Sequence, residues 1–204
     1  SVRAAERDML GSFVQSDVIH FRVGATKTIG EFVIVPTIRR FLADERHRLD
    51  LTVDNTEKLL GMLERGELDF AVIEGVFDKG KYPSTLYKKE NFVGICAKHH
   101  PFAGKTVSLE NVFKENLVVR EKGSGTRRLL EQAVESRGFS LDSFKNCSSS
   151  SNFSVICELV ALNNVITFAY EPISRCREDM DVFNVEDMSI TGEFNLVYIN
   201  EQAA

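Results

Sequence analysis

The feature of this sequence that most constrains its fold is a twice-repeated alternation of short apolar strands with amphipathic helices. Strand-like apolar runs occur at residues 21–25, 49–53, 68–73, 117–119, 144–147 and 165–168. Between them, apolar residues recur three and four positions apart, as on one face of a helix, at 29–42, 59–63, 129–134 and 156–160. A β-α-β-α-β order predicts a parallel sheet with right-handed crossovers. We therefore predict two α/β units, divided near residues 97–104.

The acidic balance of the chain argues against a DNA-binding surface. The 204 residues include 25 Lys+Arg and 30 Asp+Glu, a formal net charge of −5, whereas binding a phosphate backbone needs a surplus of basic side chains on one face. An apolar fraction of 43% and a charged fraction of 27% exclude wholesale disorder. Apolar runs such as 32–35 are far shorter than the roughly 20 residues that cross a bilayer, so no membrane association is expected.

Neither the cysteines nor the glycine-rich segments form a recognisable cofactor or metal motif. The four cysteines contain no C-x-x-C pair, which favours free thiols in a reducing cytoplasm. The one mixed group, Cys96 with His99 and His100, lacks the second pair of ligands that zinc requires. Segment 75–81 approaches a phosphate-binding P-loop, but Tyr82 stands where a Ser or Thr must bind magnesium. We expect no metal, no cofactor and no catalytic residue.

Small polar residues stand at four predicted strand-to-helix junctions. They are, in chain order, Thr26 and Thr28, Asn55 and Thr56, Ser124 and Thr126, and Ser151 and Asn152. Each pair taken singly is explained by helix N-capping. In an open parallel sheet, however, these junctions share the carboxyl edge of the strands, where ligands bind. Helix N-termini also favour anions, so the pattern predicts an anion-binding cleft.

Three charged residues accompany these junctions. Lys27 follows the first strand, and Arg120 opens a segment, 119–130, that carries a local net charge of +3 in an acidic chain. Glu74 ends a buried strand and is the best candidate for a functional carboxylate. Each is also explained without a ligand, as an exposed lysine, a solvated basic loop, and a capping or hinge carboxylate respectively.

Four segments in the same order resemble the effector-binding domain of LysR-type transcriptional regulators. They read FRVGATKTIGE at 21–31, GELDFAV at 66–72, HP at 100–101 and REKGSGTR at 120–127. The resemblance extends over about residues 19–200. Each segment alone is weak, but the combination is specific.

The resemblance implies a type 2 periplasmic-binding-protein fold, in which two Rossmann-like lobes are joined by two crossing strands, here 91–97 and 194–199. It assigns residues 1–18 to the end of a linker helix, 19–97 with 194–204 to the first lobe, and 98–193 to the second. A winged helix-turn-helix would precede the linker helix and would bind DNA. Helices at 29–42 and 126–137 would pair across a homodimer, or within a tetramer.

The resemblance also implies which positions hold the effector. Carried over one by one, they are Thr26, Thr28, Asn55, Thr56, Ser124, Gly125, Thr126, Ser151, Asn152 and Phe153. With Lys27, Glu74 and Arg120 added from the charge pattern, they form the predicted site.

We therefore predict a cytoplasmic sensor that binds a small, anionic effector between its lobes and thereby controls transcription. The first alternative is an exported solute-binding protein of the same fold, against which free cysteines and a helical N-terminal segment argue. The second is an enzyme, which would need a cleft His or carboxylate with a shifted pKa, such as that of Glu74.

Overall fold

The structure is a computed structural model that describes residues 18–162 and 165–199. Apart from Val18, the predicted linker helix at residues 1–18 lies outside the described residues, and so do the last residues of the predicted first lobe, 200–204. None of the helices in the described ranges is long and apolar enough to cross a membrane.

The first three strands form the predicted parallel group. In chain order the elements are β1 (Ile19–Thr26), a π-helical turn (Ile29–Val33), α1 (Val35–Phe41), β2 (His47–Asp54), α2 (Thr56–Glu64) and β3 (Phe70–Glu74). β1 lies between β2 and β3 and is parallel to both. The predicted helix at 29–42 is divided, because Pro36 falls in the first turn of a new helix, where its missing N–H costs no hydrogen bond.

The second group of strands is smaller than the alternation predicted. Its elements are β5 (Thr106–Val107), α3 (Leu109–Val112), β6 (Asn116–Arg120), α4 (Gly125–Glu135), a 3-10 turn (Leu141–Ser143), β7 (Asn146–Ser150), α5 (Phe153–Ala161), β8 (Thr167–Tyr170) and a second 3-10 turn (Glu171–Cys176). β6 and β7 pair in parallel, and Ile166 bridges to Leu117 in the same sense. β8 itself pairs with a different sheet, that of β4 (Ser84–Ala97).

One sequence assignment in this group is wrong. The predicted strand at 144–147 ends too early, because Ser148, Ser149 and Ser150 continue β7 and pair with Val118, Val119 and Arg120 of β6. The pairing uses only backbone groups, and β7 is an edge strand whose serines are exposed or half-buried. Such a strand needs no apolar alternation, which is the signal on which the sequence prediction depended.

Two long antiparallel strands join the groups. β4 is 14 residues long, and β10 (Ile190–Val197) lies between β3 and β4. The far end of β4 pairs with β8 and with β9 (Met180–Val185), a strand that the sequence analysis did not identify. Both strands begin before the predicted crossing segments, 91–97 and 194–199. The register of β10 on β4 shifts between Phe194 and Asn195.

Aromatic rings pack directly on glycines of these long strands. A Cβ atom built on Gly94 of β4 would lie 2.2 Å from the ring of Phe183, and one on Gly192 of β10 would lie 2.3 Å from the hydroxyl of Tyr170. Phe183 and Tyr170 are both fully buried. The absence of a side chain at the two glycines therefore lets the largest rings of the core sit against the joining strands.

Candidate functional site

A cleft opens where β1, β2 and β3 end opposite the end of β6. Its inner cavity, of about 20 Å³, is lined by Thr26, Lys27, Asp54, Asn55, Thr56, Glu74, Arg120, Glu121, Gly123, Ser124 and Gly125. An outer cavity of about 310 Å³ is lined by Thr56, Glu74, Val76, Gly123, Ser124, Gly125, Arg127, Arg128 and Glu131. The two share five residues and are adjoining parts of one space, which we call the cleft.

The structure brings together eight of the thirteen predicted site residues on the cleft wall: Thr26, Lys27, Asn55, Thr56, Glu74, Arg120, Ser124 and Gly125. Thr28 and Thr126 lie just behind it, with their hydroxyl oxygens 3.4 Å apart. The other three, Ser151, Asn152 and Phe153, line neither cavity. Phe153 is buried in the core and packs edge-on against the ring of Phe32, with centroids 5.5 Å apart.

The sequence analysis missed several residues of the cleft wall. They are Asp54, Val76, Glu121, Gly123, Arg127, Arg128 and Glu131. Their nearness in the chain to predicted residues was a signal that could have identified them, because all except Glu131 lie within two positions of a predicted site residue.

Contacts across the cleft hold its two walls together. The Lys27 ammonium donates to the carbonyl of Ser151 at 3.1 Å and lies 3.6 Å from the Glu121 carboxylate. Gly75 has a φ of +88°, and a Cβ atom built on it would lie 3.3 Å from the Cα of Gly125. The inner cavity is about large enough for one water molecule. The two walls are therefore in contact around the inner cavity.

The N-terminus of α4, one of the longer helices at the cleft, has no side-chain cap. Asn55 accepts a hydrogen bond from the Lys58 N–H and caps α2, and Asn152 accepts one from the Ser154 N–H and caps α5. Ser124, at the N-cap of α4, makes no such bond. The first-turn N–H groups of α4 have no partner within the helix, so they remain available to a ligand, with the partial positive charge of the helix end.

Two of the four cations of the 119–130 segment are paired within the fold. Buried Arg120 pairs with Glu121 at 2.9 Å, and Arg127 pairs with Glu131 at 2.7 Å. Arg128 is exposed at the wall of the outer cavity, and its guanidinium makes no hydrogen bond or ion pair with any residue that the structure describes. Arg128 is thus the cation of this segment that a ligand meets without displacing a protein carboxylate.

Glu74 is the most unusual group in the cleft. It is 3% exposed, and its Oε1 accepts a hydrogen bond from the Thr126 hydroxyl at 3.2 Å. Its other oxygen, Oε2, is buried without a hydrogen bond. Burial raises the pKa of this carboxyl from 4.5 to about 7, against the opposing effects of Thr126, Thr28, Arg120 and Tyr170.

The described residues offer no group of three or more His, Cys, Asp or Glu side chains that could hold a metal ion. All four cysteines are free thiols. Burial raises the pKa of Cys96 to about 12 and that of Cys157 to about 11, and it also raises the pKa values of Cys147 and Cys176. Because the thiolate is the reactive form, none of these thiols is activated as a nucleophile or ligand.

Comparison with known proteins gives a family match over nearly the whole chain. A family profile described as the LysR substrate binding domain matches residues 16–203. The HTH-type transcriptional regulator MJ0300 of Methanocaldococcus jannaschii is 30% identical over 122 residues, which are 59% of this chain and 41% of that protein. The matches to the first curated relatives cover about two fifths of their length.

Two solved structures share the fold. The effector binding domain of QuiR in complex with shikimate has a TM-score of 0.74 at 15% identity, over 89% of this chain and 88% of that one. The regulatory domain of CcmR from Synechocystis PCC6803 in complex with 2-PG has a TM-score of 0.73 at 16% identity, over the same shares of the two chains. These likenesses confirm the predicted α/β, type 2 periplasmic-binding-protein fold.

Proposed function

The chain belongs to the LysR substrate-binding-domain family, and we propose that it senses a small anionic effector in the cleft and thereby controls DNA binding by a transcriptional regulator. The observation that carries the proposal is the uncapped N-terminus of α4 at the cleft wall, with the free hydroxyl of Ser124 beside it. QuiR and CcmR, which share the fold, were solved with small ligands bound.

The anion would be held from both walls. Ser124 and the first turn of α4 supply donors on one side, and Thr26, Thr56 and Lys27 supply them on the other. Arg128 adds an exposed positive charge at the outer cavity. Because the inner cavity holds only about one water molecule, the effector enters when the Lys27 contacts to Ser151 and Glu121 separate. A ligand that binds across both walls then favours one separation of the walls over others.

The lobe boundaries proposed from the sequence fit this mechanism. With 19–97 and 194–204 in one lobe and 98–193 in the other, the cleft lies between the lobes, and the chain crosses between them at the end of β4 and within β10. The register shift between Phe194 and Asn195 falls at the proposed boundary. A break in the ladder there gives the joining strands a place to bend.

We propose that the regulator acts as a homodimer or a tetramer. Exposed apolar residues suited to such a contact lie on α1 (Val35) and in a stripe along α5 and its end (Val155, Leu159, Leu162). The second contact at residues 126–137 stays a prediction from the sequence; of the apolar residues there, Leu130 and Val134 are buried in the chain's own core.

DNA binding is assigned to a part of the regulator beyond this chain, because the curated relatives are HTH-type regulators and the match covers only part of them. A regulator that contacts DNA works in the cytoplasm, where free thiols also persist. The same relatives support the regulator over the exported solute-binding protein. The Glu74 carboxyl has the raised pKa that an enzyme would need, but the curated relatives are transcriptional regulators, so we assign no catalytic role.

Isothermal titration of the protein against anions (sulfate, phosphate, shikimate, 2-PG) and neutral polyols tests the proposal. We expect binding of at least one anion. Ser124→Ala should weaken it about tenfold through loss of one hydrogen bond to a charged group. Ser108 caps α3, away from the cleft. Ser108→Ala is therefore the matched control, expected to lower stability by about 1 kcal/mol with the affinity unchanged. Binding of neutral compounds alone would refute the proposal that the effector is an anion.

A further inference from the structure

The cleft contains one polar atom that the fold leaves unpaired. Oε2 of Glu74 is buried and makes no hydrogen bond, although Glu74 lines both the inner and the outer cavity. A buried oxygen without a partner is costly, and native structures rarely keep one without a reason. Glu74 is also the one carboxylate residue, among those that the structure describes, that lines both cavities, so the missing partner can enter with a ligand of the cleft.

An anion in the cleft would face this carboxyl at short range. Thr126, whose hydroxyl donates to Glu74 Oε1 at 3.2 Å, is the second residue of α4, the helix whose N-terminus is uncapped. An anion on that helix end and an ionised Glu74 would therefore be close neighbours of like charge. Two such anions do not both stay ionised in a buried site, and the group that can take a proton does so.

The groups around Glu74 do not remove this conflict. Arg120 of β6 is the nearby cation, but its guanidinium is paired with Glu121. Tyr170 of β8 is neutral, since burial raises the pKa of its phenol, and Thr28 and Thr126 offer only hydroxyls. Without a ligand, burial already raises the pKa of the Glu74 carboxyl to about 7, so a modest added repulsion suffices to protonate it near neutral pH.

Building on the anionic effector proposed above, we propose that Glu74 takes up one proton from solvent when the effector binds, and that its Oε2–H donates a hydrogen bond to the anion. No covalent bond of the effector changes; the proton comes from the buffer and returns to it on release. Glu74 thereby determines specificity, because it selects effectors with an acceptor at this point. The same step makes the affinity for the effector depend on pH.

Titration calorimetry with sulfate and shikimate, which stay ionised above pH 6, measures this step. In buffers of different ionisation enthalpy, the wild-type protein should take up close to one proton per ligand at about pH 8.5. Its Kd should rise about 30-fold from pH 6 to pH 8.5, as expected for a carboxyl with a pKa near 7 that must be protonated in the complex.

Two variants separate Glu74 from its surroundings. Glu74→Gln keeps the shape and the donor without the titration, so its Kd should be nearly independent of pH and its heat independent of the buffer. The matched control is Glu110→Gln, at an exposed carboxylate of α3 that pairs with Lys114 and lines neither cavity. It leaves Arg120, Glu121 and Lys27 unchanged, so this variant should retain the wild-type pH dependence.

The outcomes distinguish this inference from the proposed function. Anion binding with no proton uptake and no pH dependence overturns the role of Glu74 and leaves the anionic sensor standing. Binding of neutral compounds alone overturns both. A carbon-13 NMR titration of the ligand-free wild-type protein needs no ligand and no variant. A Glu74 carboxyl midpoint near pH 7 supports the inference, and a midpoint below about pH 5.5 overturns it.

Discussion

Replacing Glu74 with glutamine should change how the stability of the protein depends on pH. The folded-state pKa of this carboxyl is about 7, against 4.5 when it is unperturbed. Because the folded-state pKa is the higher one, the carboxyl stabilises the folded state fully below about pH 4.5, and this stabilisation is lost as the pH rises through about 7. A shift of 2.5 units at 1.36 kcal/mol each is worth about 3 kcal/mol.

The assay is urea unfolding of the wild-type protein and of Glu74→Gln at several pH values between 5 and 8. Glutamine does not titrate, and the contributions of the other titrating groups cancel in the difference between the two free energies of unfolding. That difference should move in favour of the variant by about 2–3 kcal/mol over this range. Glu121→Gln should show no comparable trend, since the pKa of Glu121 is lowered. Parallel curves for the wild type and Glu74→Gln would refute a buried, titrating carboxyl.

Three further predictions follow from the backbone and the helix caps. Gly75→Ala and Gly66→Ala both place a side chain at a positive φ, so each should lower the free energy of unfolding by about 1 kcal/mol. Only at Gly75 would the new Cβ atom lie 3.3 Å from the opposite wall of the cleft, so only Gly75→Ala should shift small-angle scattering towards a form with the walls further apart. Gly94→Ala should cost about 3 kcal/mol in urea unfolding because of the Phe183 ring, against about 1 kcal/mol for Gly104→Ala, which has open space. Asn55→Ala should lower the free energy of unfolding by about 1 kcal/mol through loss of the α2 cap.

The parallel part of the fold was predictable from local sequence patterns. Alternating and continuous apolar runs located β1, β2, β3 and β6, and Asn55, a predicted N-capping residue, caps α2. The strand residues that the sequence did not predict are positioned by backbone pairing with segments far away in the chain. β9 pairs with β4 across more than 80 residues, and Ser148–Ser150 pair with β6 through backbone groups that leave no pattern in the side chains.

The candidate site was predictable as a set of strand ends, but not in its details. Parallel topology places Thr26 and Asn55 at one edge of the large sheet, and they face Ser124, at the end of β6 in the other sheet, across the cleft. Which helix start is capped by its own side chain depends on a rotamer, which the residue types do not specify: Asn55 caps and Ser124 does not. The unpaired oxygen of Glu74 likewise depends on the distance between two walls formed by remote segments.

The position of β10 between β3 and β4 has a consequence for the order in which the chain can fold. Phe194 pairs with Glu74, and Val197 with Ala71, across about 120 residues, and these contacts fill the middle of the sheet. As the chain leaves the ribosome, β1, β2 and β3 emerge with an unoccupied inner edge until residue 197 has followed. The loop closed by these contacts is long, so folding of this domain should be slow and should depend on its last strand. The two groups of strands thus reach the native state together and not as independent folding units.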